Sequence, residues 1–245
     1  MNKNRTKSRC VIIAAYQSAR ISDSVDIGAD DLILCADGGY AHARAEGITP
    51  HVLIGDFDSL TADEVTEGVE VIRLDTEKDY TDTLACAKYG IGKGIDDFVI
   101  VGGIGGRFDH TVANLQTLSF LTDMRCRAWI ADGKNRATMV DSVKKNPYEL
   151  IAEIEGPVVD ALGSDFGEES ACGSIVLDAR ADYKFSVYSY EERSTGVNIS
   201  GAKYPLNDAV LTQSFPIGTS NEFLGTTPVT ISVKHGRLLV ILSRD

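Results

Sequence analysis

Up to about residue 140 the chain alternates short, almost wholly apolar runs with stretches of helical spacing, and this alternation constrains the fold most. Cys10–Ala15, Leu32–Ala36, Val52–Gly55, Val69–Leu74, Phe98–Gly102 and Ala128–Ala131 read as strands; Tyr40–Glu46, Asp82–Tyr89 and Thr111–Thr122 read as helices. Strands separated by helices predict βαβ units and a mostly parallel sheet. Continuously apolar strands such as Leu32-Ile33-Leu34 predict a sheet covered on both faces. The rhythm changes near Ser174. Val229-Thr230-Ile231-Ser232-Val233 alternates with period two, Lys234-His235-Gly236 marks a turn, and Leu238–Leu242 and Lys184–Tyr190 add strands. Short antiparallel strands of this kind predict a β-sandwich. The expected organisation is α/β plus all-β. A mostly parallel α/β domain covers 10–140, a linker or insertion 141–172, and an antiparallel β-sandwich 173–245. Within the insertion, Tyr148–Glu155 fits a short helix or a strand equally well.

The 36 acidic residues outnumber the 24 Lys and Arg, for a net charge of −12. That field repels nucleic-acid backbones and anionic lipid, so neither is an expected partner. A small phosphorylated ligand stays possible, because a divalent cation inverts the local sign. Val11–Tyr16, the longest apolar run near the start, falls far short of the ~20 residues that a bilayer requires. The basic start (Lys3, Arg5, Lys7, Arg9) precedes too short an apolar stretch for a signal peptide and reads as a frayed tail. Cys10, Cys35, Cys86, Cys126 and Cys172 are scattered and contain no C-x-x-C, which fits a reduced cytoplasm.

Chemistry collects where strands of the first half end, the place where open α/β sheets bind ligands. In Gly55-Asp56-Phe57-Asp58-Ser59, two carboxylates two residues apart point to one side of an extended chain. So close a pair repels unless a cation intervenes, and Mg²⁺ is the hard, oxygen-seeking candidate; an Asp-rich turn explains the same residues. In Glu77-Lys78-Asp79-Tyr80-Thr81-Asp82, Asp79 and Asp82 can face one way across a helix start, or merely cap it. Gly102-Gly103-Ile104-Gly105-Gly106-Arg107-Phe108-Asp109-His110 lets backbone approach a ligand, with a helix N-terminus and the Arg107 fork suited to phosphate. It is neither a P-loop nor a dinucleotide fingerprint. Ala36-Asp37-Gly38-Gly39 can cradle a phosphate or ribose, or form a βα turn capped by Asp37. Metal-holding carboxylates beside an oxyanion loop are what phosphoryl transfer requires. The residues therefore predict a Mg²⁺-dependent enzyme acting on a nucleoside polyphosphate.

These four motifs, the glycine-rich one with Asn114, resemble the thiamine pyrophosphokinase family. Gly196-Val197, Ser200-Gly201-Ala202-Lys203-Tyr204-Pro205-Leu206 and Gly218-Thr219-Ser220-Asn221-Glu222-Phe223 resemble its thiamine-binding β-domain. The resemblance runs from about Cys10 to the end. It implies transfer of pyrophosphate from ATP to the hydroxyl of thiamine, giving thiamine diphosphate and AMP. It also implies a homodimer whose sites lie between the α/β domain of one subunit and the β-domain of the other. Carried over, Asp56, Asp58 and Asp82 hold Mg²⁺, and Asp82 or Asp58 accepts the hydroxyl proton. Asp37, Gly38, Gly105, Gly106, Arg107, Asp109, His110 and Asn114 bind ATP. Asp79 and Thr81 lie on the substrate side, Tyr204 stacks on thiamine, and Ser220 and Asn221 lie beside it. A cationic thiazolium suits an aromatic face. Two features depart from the family pattern: Ala14-Ala15-Tyr16-Gln17 stands where a glycine-containing phosphate turn is expected, and 141–172 is longer than the usual linker. The rival readings are a pyrophosphokinase acting on a hydroxymethyl pterin, and a thiamine or nucleotide sensor without turnover.

Overall fold

The computed structural model describes residues 8–57, 65–75, 77–142 and 173–245. Asp58, the N-terminal tail to residue 7, and the 143–172 segment with Tyr148–Glu155 lie outside them. The described residues form two compact units, 8–133 and 134–142 with 173–245.

The first unit runs β1 (Cys10–Ile13), α1 (Ile21–Ser24), β2 (Leu32–Ala36), α2 (Gly39–Ala45), β3 (Val52–Gly55), β4 (Glu70–Arg73), α3 (Asp82–Gly92), β5 (Asp97–Val101), α4 (Phe108–Asp123) and β6 (Arg127–Asp132). Its strands lie in the order β6-β5-β1-β2-β3-β4, and each neighbouring pair is parallel. The expected parallel sheet is thus present. Both its faces are covered. Val11, Ile13, Ile33, Cys35, Leu53 and Val101 pack with Tyr40 and Ala43 of α2 on one side. On the other side Gly90 of α3 sits against Phe98 and Cys10. Only a glycine admits the close approach of α2: a Cβ on Gly39 would lie 2.1 Å from the Ile13 carbonyl oxygen. Because β1 pairs with both β2 and β5, the chain leaves it in opposite directions, and a crevice opens at the carboxyl ends of these strands.

The second unit contains β7 (Asn135–Asp141), β8 (Gly173–Leu177), β9 (Lys184–Ser189), β10 (Arg193–Ser200), β11 (Leu206–Thr212), β12 (Asn221–Glu222), β13 (Val229–Val233) and β14 (Arg237–Ser243). Two antiparallel sheets, β12-β9-β14-β7 and β11-β10-β13-β8, form it. The period-two alternation buries Val229, Ile231 and Val233 and exposes Thr230. β7 pairs with β14 along its whole length, so residues 135–140 fall in this unit although their spacing suggested the α/β part. Among the described residues, no helix is long and apolar enough to cross a membrane.

Candidate active site

A cavity of about 430 Å³ opens at the strand ends of the first unit. Three of its walls are the loop after β1 (Ala14, Ala15, Tyr16), the end of β2 with the residue after it (Ala36, Asp37) and the loop after β5 (Gly103, Gly105). Lys78 to Thr83 forms a fourth side, and Arg107, His110 and Asn114 of the α4 region a fifth.

The loop after β5 is shaped by glycine. Gly102, Gly103, Gly105 and Gly106 all have positive φ, a backbone that side chains resist. The ring of Tyr16 lies directly over it, since a Cβ on Gly105 or Gly106 would come within 3.0 or 2.6 Å of that ring. The N–H groups of Gly102, Gly103, Ile104 and Gly105 donate to the Ala131 carbonyl, the Tyr16 carbonyl, Asp132 Oδ2 and Thr111 Oγ1. This stretch therefore serves the cavity by its contour, and Arg107 and the start of α4 follow it along the lining. Asn114 is buried and donates from Nδ2 to the Gly103 carbonyl at 2.9 Å, bracing the loop. Asp132, 0% exposed, accepts from Ser18 N (3.0 Å), Ser18 Oγ (2.6 Å) and Ile104 N (3.3 Å). It ties the loop after β1 to the loop after β5.

α4 begins at Phe108, one turn before the expected Thr111, which puts Asp109 and His110 in its first turn. Arg107 and Asp109 form a two-point contact, Nε to Oδ1 and Nη2 to Oδ2. That hydrogen bonding raises the guanidinium pKa and lowers the carboxyl pKa. Arg107 and His110 line the cavity; Asp109 and Gly106 stand outside its lining.

α3 is capped by Thr81, whose Oγ1 accepts from Leu84 N at 3.2 Å, so neither Asp79 nor Asp82 is the cap. Asp82, the first helical residue, faces the cavity, as does Thr81. Asp79 is exposed and precedes the helix. Lys78 Nζ lies 2.7 Å from Asp82 Oδ1, yet no donor is aligned on that buried oxygen. The contact is one of charge rather than of hydrogen-bond geometry.

Asp37 has φ +42° and lines the cavity, while Gly38, not Asp37, takes the N-cap position of α2. Asp56 is half-buried just past β3, outside the cavity lining, and Phe57 after it turns into the core at φ +48°. Among the described residues no three His, Cys, Asp or Glu side chains form a metal-holding group; Asp58 lies outside them. Lys78 and Tyr16 are cavity residues that the motifs did not single out. Lys78 stands four positions before Asp82, the spacing of an ion pair, and Tyr16 stands where the phosphate turn was missing.

In the second unit Tyr204 is 57% exposed, and the peptide groups on either side of it are clamped. Asn221, 5% exposed, accepts from Tyr204 N at 3.0 Å and donates to the Tyr204 carbonyl at 2.8 Å. Its amide thus holds the tyrosine in place. Ser220, at φ +59°, is exposed and donates its N–H to Ser186 Oγ. Lys203 pairs with Glu222 and lies 5.4 Å from the Tyr204 ring centroid.

Residues 27–130 match the model of the thiamin pyrophosphokinase catalytic domain, and residues 174–238 match that of the thiamin pyrophosphokinase vitamin B1 binding domain. The chain belongs to the thiamin pyrophosphokinase family. It is 29% identical over 179 residues to thiamin pyrophosphokinase 1 of Caenorhabditis elegans, an alignment covering 71% of this chain and 62% of the worm protein. It is 27% identical over 213 residues to the thiamine pyrophosphokinase of Bacillus subtilis, covering 85% of this chain and 86% of that one. The crystal structure of thiamine pyrophosphokinase from Bacillus subtilis has the same fold, with a TM-score of 0.75 at 22% identity over 98% of this chain and 100% of that chain.

Proposed function

We propose that this chain transfers the terminal pyrophosphoryl group of ATP to the hydroxyl of thiamine, releasing thiamine diphosphate and AMP. The observation that carries the reading is the pairing, on one chain, of the catalytic-domain match around a strand-end cavity with the vitamin B1 binding-domain match. A hydroxymethyl pterin would leave the second match without a purpose.

Asp82, Asp56 and Asp58 are the residues we assign to Mg²⁺. The fit rests on hard carboxylate oxygens and on Asp82 Oδ1, a buried oxygen with no aligned donor. Bound there, Mg²⁺ would neutralise charge on the phosphate oxygens. Arg107, exposed just before α4, reaches phosphate by exchanging Asp109 for it, and the N-terminus of α4, where His110 lines the cavity, adds positive potential. Tyr16 and Asn114 fix the contour of the loop after β5. The thiamine oxygen attacks the β-phosphorus, the bond from that phosphorus to the α–β bridging oxygen breaks, and AMP leaves with that oxygen. The hydroxyl proton passes to Asp82 or Asp58. Tyr204, held by Asn221, offers its face to the thiazolium.

We further assign a homodimer in which the β-domain of the second subunit completes each site. Phe215 and Ile217, exposed two residues apart after β11, are apolar surface that such an association would bury. Incubation with ATP, Mg²⁺ and thiamine tests the reading. Thiamine diphosphate and AMP should appear in equal amounts and vanish on chelation. ADP in place of AMP, or no thiamine diphosphate, overturns it.

A further inference from the structure

Lys78 is unusual among the cations of this site. It is 13% exposed on its side chain, and it is held by charge alone against Asp82. Arg107, by contrast, makes a well-formed two-point contact in solvent. Asp82 cannot follow a moving partner, because Thr81 caps α3 and fixes its first residue. Lys78 can move: it precedes the helix, and its ammonium is a compact point charge on a flexible four-carbon stem. Both residues line the same cavity as Arg107 and His110.

We propose that Lys78 is a charge-exchange residue: its ammonium neutralises Asp82 while the site holds no divalent cation, and turns to a nucleotide phosphate oxygen once Asp82 is committed to one. The inference rests on the metal and ATP reading above. Two cations cannot share one carboxylate oxygen at such close range without strong repulsion, so metal uptake at Asp82 displaces the ammonium. The displaced lysine then stands in the cavity with phosphate as its available anion.

The test is a pair of binding titrations on the full chain, with Mn²⁺ as the paramagnetic probe and ATP without thiamine. Lys78→Gln should bind Mn²⁺ alone about fivefold more tightly, because its competitor is gone. The same variant should bind ATP with Mn²⁺ about tenfold more weakly, because a charge-assisted phosphate contact is lost. Lys78→Arg, which keeps the charge, should stay near wild type in both. A purely structural lysine would weaken both titrations, and a simple salt bridge would leave ATP unchanged; either result overturns the exchange. Wild-type protein that takes up no Mn²⁺ even with ATP overturns the metal reading itself, and the exchange with it.

Discussion

Replacing Asp132 by alanine should damage the first unit and its cavity together. The carboxylate is wholly buried and accepts two strong bonds from Ser18 and a longer one from Ile104. A hydrogen bond to a charged group contributes about 1.5–3 kcal/mol. Ser18 is exposed, so its donors regain water in the variant, which recovers roughly half of that total. The expected net loss is about 2–4 kcal/mol. With a urea slope of about 2 kcal/mol/M, the unfolding midpoint falls by about 1–2 M. Trp129, the single tryptophan, lies on the same strand three residues away, so its fluorescence reports this unit directly. Asp132→Asn keeps an acceptor for Ser18 but turns an amide donor toward Ile104 N–H, and should lose about 1–2 kcal/mol. Calorimetric ATP binding should weaken in the same order, since both cavity loops are released. An alanine variant whose midpoint moves by less than about 0.3 M, with ATP affinity intact, would refute the reasoning.

Gly39→Ala should cost about 3 kcal/mol or more in thermal unfolding, since the new methyl meets the Ile13 carbonyl oxygen and α2 must back away from β1. Tyr204→Ala should raise KM for thiamine about tenfold while KM for ATP stays within about twofold. Asn221→Ala should follow it in direction, because both bonds to the Tyr204 backbone are lost; equal effects on both substrates in steady-state kinetics would remove the assignment. Burial pushes the Glu46 carboxyl up, but the Ile21 and Ser22 N–H groups and Arg20 outweigh it, so its pKa lies below the ordinary 4.5. A lowered carboxyl stabilises the fold above its unfolded pKa, and that contribution disappears as pH falls through the folded value. Glu46→Gln should therefore flatten the loss of stability in denaturant titrations below pH 4.5.

The parallel sheet was legible because its strands are apolar without interruption, and the second unit because Val229 to Val233 alternates. The early start of α4 was not. Phe108 is 78% exposed, so the first turn adds nothing to an apolar period. β7 escaped notice because Arg136 and Thr138 break its apolar pattern, and its strand is defined by pairing with β14 along its whole length. Within the site, Asp82, Arg107 and His110 could be found because strand ends gather ligands whatever the loops contain. The support behind them could not. Asp132 and Ser18 are 114 positions apart in sequence, and no local pattern announces their contact. Asn221 was expected beside the ligand by resemblance; a sequence does not show that both ends of its amide are engaged by the Tyr204 backbone.

The packing of Tyr16 on Gly105 and Gly106 sets how this site can diverge. Any larger residue at 105 or 106 meets the Tyr16 ring as well as an unfavourable backbone, so single changes at either position are closed. Shrinking residue 16 first lifts the steric half of the barrier. What remains is a left-handed backbone, which asparagine tolerates best. Positions 16 and 106 should therefore show strong epistasis in a pairwise mutational scan, with Gly106→Asn viable when Tyr16→Ala accompanies it and lethal when Tyr16 is kept. Evolution reaches that double change through residue 16, and not in the reverse order.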